Sequence, residues 1–149
     1  MYKHILVPVD PEGLSDTALA HATGLATAFG SRVSLMTMAE PVYAHLAQAG
    51  EIHDAFEHEA SSTARAAGLL QVASRKLRAA NVDFDTIIFS GERPWESIAK
   101  AAEDHDCDLI VMATRGGKHI DGFVFGSVAA SVLTRSNVPL LVIRDDQDF

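Results

Sequence analysis

The run Ile110-Val111-Met112-Ala113-Thr114-Arg115-Gly116 is followed, after nine residues, by Gly126-Ser127-Val128. An apolar strand here opens into a glycine loop that closes on a helix start. Glycine lets the backbone approach an anion closely. The first N–H groups of the following helix, with the positive end of its dipole, point at the same spot. The chemistry this spacing suits is the holding of a phosphate. Taken alone, Gly116-Gly117 also fits an ordinary strand-exit turn and Gly126-Ser127 an ordinary helix cap.

Other chemistry-bearing residues are less organised. His53 and Glu57 stand four apart with His58 beside them, a spacing that could share a metal, but no third ligand is near. They read as a solvated helix face, and no metal is expected. His119 beside the glycine loop reads as an exposed residue. Cys107 has no basic neighbour to activate it and reads as a small buried side chain. Met36, Met38 and Met112 fit core filler, and Trp95 fits a packing residue at a helix start. Asp10, followed by Pro11-Glu12-Gly13, fits either a ligand-facing carboxylate or a turn-shaping residue. The closing Asp145-Asp146-Gln147-Asp148 reads as a solvated tail.

The elements that must position the loop follow from periodicity. Ile5-Leu6-Val7-Pro8-Val9 is a buried-type strand ending at Asp10. Leu14, Ala18, Ala22, Leu25 and Phe29 then mark one helix face, stopped by Gly30. Val33 to Met38 is a second strand, closed by Glu40-Pro41. A polar, His- and Ala-rich stretch from about Tyr43 to Ser62 leads into a long helix ending near Ala80, with Leu69, Leu70, Val72, Ala73 and Leu77 as its apolar positions. Phe84 to Phe89 is a third strand, and Pro94 suits the first turn of a helix carrying Trp95, Ile98, Ala99 and Ala102. Leu109 to Ala113, Ser127 to Thr134 and Leu140 to Ile143 supply a fourth strand, a last helix and a fifth strand. Strands alternating with helices, and continuously apolar, predict an α/β fold: an open, doubly wound, five-stranded parallel sheet with helices on both faces. Ligands of such sheets sit beyond the C-terminal strand ends where the strand order reverses. Asp10, Met38 and Ala113 all fall at strand ends.

Composition bounds the rest. The 149 residues, 48% hydrophobic and 21% charged, fit one domain that needs no disulfide or structural metal. The lone cysteine suits a reducing compartment. No apolar run approaches the roughly 18 residues that cross a bilayer, and no cleavable leader is evident, so a cytoplasmic location is expected. A net charge of −8, from 20 acidic and 12 basic residues, argues against a nucleic-acid or anionic-membrane surface.

Over its whole length the chain resembles a universal stress protein of the single-domain, nucleotide-binding kind. The resemblance rests on Ile5-Leu6-Val7-Pro8-Val9-Asp10, Gly91 with Pro94, and Asp108-Leu109-Ile110-Val111-Met112 leading into the glycine loop. It ends with Gly126-Ser127 and Val138-Pro139-Leu140-Leu141-Val142-Ile143. It implies one domain over residues 1–149, Rossmann-like, with strand order 3-2-1-4-5. The family's signature is Gly, two residues, Gly, nine residues, then Gly and Ser or Thr. The spacing is kept here, but Ala113 replaces the first glycine, which matters only if φ is positive there.

Carried onto these positions, the resemblance implies that ATP or AMP, with or without Mg²⁺, is the ligand. Asp10 would bond the ribose hydroxyls, and Pro8 and Val9 would wall the adenine. Met38 would set its backbone against the adenine edge, and Met112 and Ala113 would lie beneath the sugar and first phosphate. Gly116, Gly126, Ser127, Val128 and Ala129 would cradle the phosphates. Chemistry is consistent with these roles: a carboxylate accepts from two hydroxyls, and Ser127 offers a hydroxyl at a helix N-terminus. Arg115 and Lys118 are the candidates for the outer phosphates.

The resemblance also implies a homodimer formed by antiparallel pairing of the edge strand Leu140, Leu141, Val142 and Ile143. Ile120, Phe123, Val124 and Phe125 are apolar for a loop, and either pack under the last helix or couple nucleotide occupancy to a partner surface. The chain lacks the Gly-x-x-x-x-Gly-Lys-Ser/Thr run and the Gly-x-Ser-x-Gly elbow. The loop offers only Arg115, Lys118, His119 and Asp121 for hydrolysis. The expected function is thus adenine-nucleotide binding by a regulatory, signalling dimer in stress response. A nucleotide-free dimeric interaction module and a slow ATP hydrolase are the alternatives.

Overall fold

The computed structural model describes residues 1–10, 15–39, 52–91, 93–115 and 126–145, with backbone alone at 15, 52–59 and 115. Within them the chain runs β1 (His4–Pro8), α1 (Ser15–Phe29), β2 (Arg32–Ala39), α2 (Ile52–Ala79), β3 (Phe84–Ser90), α3 (Pro94–Asp104), β4 (Leu109–Arg115), α4 (Ser127–Arg135) and β5 (Leu140–Asp145). The five strands form one parallel sheet in the order β3-β2-β1-β4-β5, the order expected.

Strand alternation divides the core into two layers. Ile5, Val7, Val33, Leu35, Leu109 and Val111 meet Leu19, Ala22, Leu70 and Leu77 on the face covered by α1 and α2. Leu6, Met36, Ile110 and Met112 meet Ile98, Ala101, Ala129 and Val132 on the face covered by α3 and α4. Burial on both faces is why the strands read as continuous apolar runs rather than alternating ones. Gly30 takes the left-handed φ of 67° at the end of α1, and Asn81 and Asp106 take φ near 55° in the turns after α2 and α3. These are the residue types for which that region costs least.

Two details correct the sequence reading. The long helix starts at Ile52, well inside the stretch read as leading into it, so that His53, Glu57 and His58 lie on a helix, as their spacing implied, and on this same one. Val72, taken as a core position, is 58% exposed, while Ser74 is buried and donates its hydroxyl to the Gln71 carbonyl at 2.8 Å. At 100° per residue Leu70, Ser74 and Leu77 share the inward face, and Val72 points away from it. Glu40, Pro41, Tyr43, the Pro11-Glu12-Gly13 turn and Asp146-Gln147-Asp148 lie outside the described residues.

Candidate functional site

The sheet parts at its centre. β1 pairs with β2 from His4↔Arg32 to Pro8↔Met36, and β4 with β5 from Ile110↔Leu140 to Arg115↔Asp145. Between β1 and β4 the pairs are Ile5↔Leu109 and Leu6↔Ile110, and none follows among the described residues. Beyond Leu6 and Ile110 the two central strands therefore separate toward their C-terminal ends. β1 connects onward to β2 on one side and has β4 on the other, so this parting coincides with the reversal of strand order.

On the β1 side, both backbone groups of Val9 are held by β2: its N–H donates to Met36 O at 2.7 Å, and its carbonyl accepts from Thr37 Oγ1 at 2.7 Å. That fixes the direction in which the chain leaves the sheet at Asp10, which is half-buried. The Val9 side chain is packed in the α1/α2 layer, whereas Pro8 is half-buried on the opposite face by alternation. β2 continues past its last partner in β1, through the half-buried Met38, which pairs with Phe89 of β3.

On the β4 side, Met112 is buried in the α3/α4 layer and Ala113 packs against the α1/α2 layer. Ala113 is a regular strand residue. The only non-glycine positive φ values among the described residues belong to Asn81 and Asp106, so no left-handed backbone at this position demands glycine. Its methyl group, moreover, points to the face opposite α4. β4 also runs two residues farther than its sequence pattern implied, because Thr114↔Arg144 and Arg115↔Asp145 extend the ladder with β5.

The start of α4 completes the arrangement. Gly126 is the N-cap and, as a glycine, brings no side-chain capping bond to this end. The helical ladder opens with Ala130 N–H donating to Gly126 O at 2.9 Å. Helix geometry then leaves the N–H groups of Ser127, Val128 and Ala129 without partners inside the helix, and no acidic residue occupies the first turn. Ser127 is exposed, Val128 half-buried and Ala129 buried. An uncapped helix N-terminus of this length is an anion-binding geometry.

Two contributors were missed by sequence reasoning. Thr37 carries the Val9 carbonyl, and Thr114 Oγ1 accepts the Gly126 N–H at 3.1 Å. Gly116, Lys118, His119, Ile120, Asp121, Phe123, Val124 and Phe125 lie outside the described residues, as does the side chain of Arg115. No set of three or more His, Cys, Asp or Glu among the described residues is arranged to hold a metal, and the side chains of His53, Glu57 and His58 fall outside that description.

At the opposite, N-terminal ends of the strands the polar groups bind one another. The Asp108 carboxylate accepts the N–H of Lys3 at 2.9 Å and of His4 at 3.0 Å. Burial alone would raise its pKa. The N–H groups of Lys3, His4 and Asp108 itself, with the His4 side chain, outweigh that and hold the carboxyl below its usual range. Ser34 donates its hydroxyl to Asp85, whose other oxygen accepts from Arg32 at 3.0 Å. With the Ser34 proton committed, the 2.7 Å contact to His4 Nε2 has the imidazole as donor. Cys107 is buried as expected; its thiol is pushed up to about 12 by burial first, then by Asp85, Asp108 and Asp106. Trp95 packs as expected, with the Arg135 guanidinium 4.5 Å above its ring.

Among the described residues no helix is long and apolar enough to cross a membrane. The universal stress protein MJ0577 of Methanocaldococcus jannaschii is 28% identical across 97% of this chain and 96% of its own length, and its solved structure superposes with a TM-score of 0.81 over 99% of both chains. A universal stress protein of Thermus aquaticus is 29% identical over 97% of this chain and all of its own. The Archaeoglobus fulgidus universal stress protein solved in complex with dAMP matches at 25% identity and a TM-score of 0.63, covering 95% of this chain and 97% of that one. The profile of the Universal stress protein family matches residues 1–144, and with the parted five-stranded sheet and the uncapped helix at Gly126 it establishes that this chain belongs to that family.

Proposed function

We propose that this chain is an adenine-nucleotide-binding regulatory protein of the stress response, a single domain over residues 1–149, with the nucleotide seated where β1 and β4 part. The observation that carries the reading is the uncapped N-terminus of α4, which follows β4 and is fixed to its end by the Gly126 N–H. Asp10, at the mouth of the parting, bonds the ribose hydroxyls. Pro8, Val9 and the Met38 backbone bound the adenine, and Met112 and Ala113 underlie the sugar and first phosphate. Ser127, Val128 and Ala129 donate to the phosphates, aided by Gly116, Arg115 and Lys118. The regular strand φ of Ala113 supports the reading, because an alanine fits there without strain. A relative solved with dAMP supports an adenine mononucleotide as ligand class. ATP and AMP are the candidates, with Mg²⁺ accompanying the triphosphate.

The protein acts as a homodimer through β5, where Leu140, Leu141, Val142 and Ile143 are half-buried on the strand at the sheet edge. The nucleotide serves as a bound signal, with at most slow hydrolysis.

The test is to denature freshly purified protein and resolve the supernatant by ion-exchange chromatography, then titrate nucleotide-free protein with ATP and AMP by calorimetry. Near-stoichiometric nucleotide, lost in Gly126→Val, is expected. No copurified nucleotide and no calorimetric response would instead favour a nucleotide-free dimeric interaction module.

A further inference from the structure

Gly126 is glycine for a reason its backbone does not supply. Its φ of −52° and ψ of 142° are open to any residue, so no left-handed conformation requires it. The constraint is a neighbour. A Cβ built on Gly126 would stand 2.6 Å from Thr114 Oγ1, well inside contact distance, and 3.8 Å from Thr114 Cβ, an ordinary contact. Thr114 is 4% exposed, lies next to last in β4, and points to the α4 face with Ile110 and Met112. As a β-branched residue its χ1 is stiff, so Oγ1 cannot readily swing aside.

The same oxygen accepts the Gly126 N–H at 3.1 Å. Of the four N–H groups that a helix start leaves unbonded, the one at Gly126 is thus turned toward β4, and those of Ser127, Val128 and Ala129 have no hydrogen-bond partner among the described residues. We propose that Thr114 is a positioning residue of the phosphate site: its hydroxyl draws the α4 N-cap onto the end of β4, and it is the contact that makes glycine obligatory at position 126. The assignment rests on the nucleotide reading above. Thr114 touches α4 and acts on the ligand through it.

The test is a double-substitution cycle on the full chain, with ATP and AMP affinity from calorimetry and the Gly126 amide followed by ¹⁵N-resolved NMR and hydrogen exchange. Gly126→Ala should weaken binding at least tenfold in the wild-type background. It should cost less than about threefold in the Thr114→Ala background, because residues in direct contact do not add independently. Thr114→Val, similar in shape but without the acceptor, should weaken binding roughly three- to tenfold and speed Gly126 amide exchange, as loss of one hydrogen bond implies. Thr114→Ser should recover most of both. Thr114→Val keeps the branched shape and Thr114→Ser keeps the hydroxyl, so these two arms hold if Thr114→Ala folds poorly.

Additive losses in the cycle, or an unchanged Gly126 amide in Thr114→Val with binding intact, would overturn the positioning role alone. Absence of ATP and AMP binding by the wild-type protein would overturn the nucleotide reading and this role with it, even if the amide still reports the hydrogen bond.

Discussion

The two ends of one sheet solve opposite problems. At the N-terminal ends, side chains from four strands and their flanks close on each other: Asp108 takes the N–H groups of Lys3 and His4, and Ser34 links His4 to Asp85, which also holds Arg32. At the C-terminal ends the central strands part, and bonds such as Thr37 to Val9 and Gly126 to Thr114 tie down backbone around an uncapped helix start. Polar groups that satisfy one another stabilise a fold. Groups whose backbone is fixed while their donors stay open are preorganised for a ligand. In a parallel sheet the second condition belongs at the C-terminal ends, where the helices begin.

Substitutions should separate the two ends. The largest effect is expected from Gly126→Val, which should reduce ATP and AMP affinity by roughly a hundredfold or more in calorimetry, since removal of a preformed anion site costs several charge-assisted hydrogen bonds. Its effect on the other end, read from the Lys3 and His4 amide shifts, should be nil. Ser34→Ala comes next: it leaves Asp85 and His4 each short of a partner and should cost about 1–3 kcal/mol in urea unfolding, with nucleotide affinity within about twofold of wild type. Equal losses of affinity and stability in that variant would break the distinction.

Asp108→Asn should cost about 1–2 kcal/mol near neutral pH, discounted for partial exposure. Because the Asp108 pKa is depressed in the native state, its contribution is present above the unfolded-state value near 4 and is lost as pH falls through the lower native value. The Asp108→Asn variant should therefore lose stability less steeply than wild type on acidification below about pH 4. The smallest effect concerns Cys107. With its thiol at about 12, against an ordinary 9.0, it should resist alkylation in the native protein and react once unfolded. Between those two values the unfolded chain releases the proton first, so stability should decline as pH rises through that window. Rapid native-state labelling would contradict the burial of this end of the sheet.

Legibility in the sequence followed range of contact. Ile5 to Val9, Leu109 to Ala113 and Leu140 to Ile143 announce buried parallel strands because both faces are covered, and Gly126-Ser127 announces a helix start because the signal is local. Strand order came from family resemblance, since pairing between elements leaves no local trace. Thr37 and Ser34 read as strand residues only, and Thr114 as loop beyond a strand ending at Ala113, because a hydroxyl beside apolar residues looks the same whether or not it has a partner. Their partners lie 28, 51 and 12 residues away. Ala113 shows the reverse case. The sequence marked it as a departure from the glycine pattern, and only the backbone reveals that β4 continues through it with ordinary strand geometry.

The claim that one end of the sheet is built for a ligand and the other for stability is tested most directly by an amide chemical-shift titration of nucleotide-free protein with AMP. Shifts are expected at Val9, Asp10, Met112, Ala113, Ser127, Val128 and Ala129, with Lys3, His4, Arg32, Ser34 and Asp85 unmoved. Shifts centred on the second group, or none at either end at millimolar AMP, would contradict it.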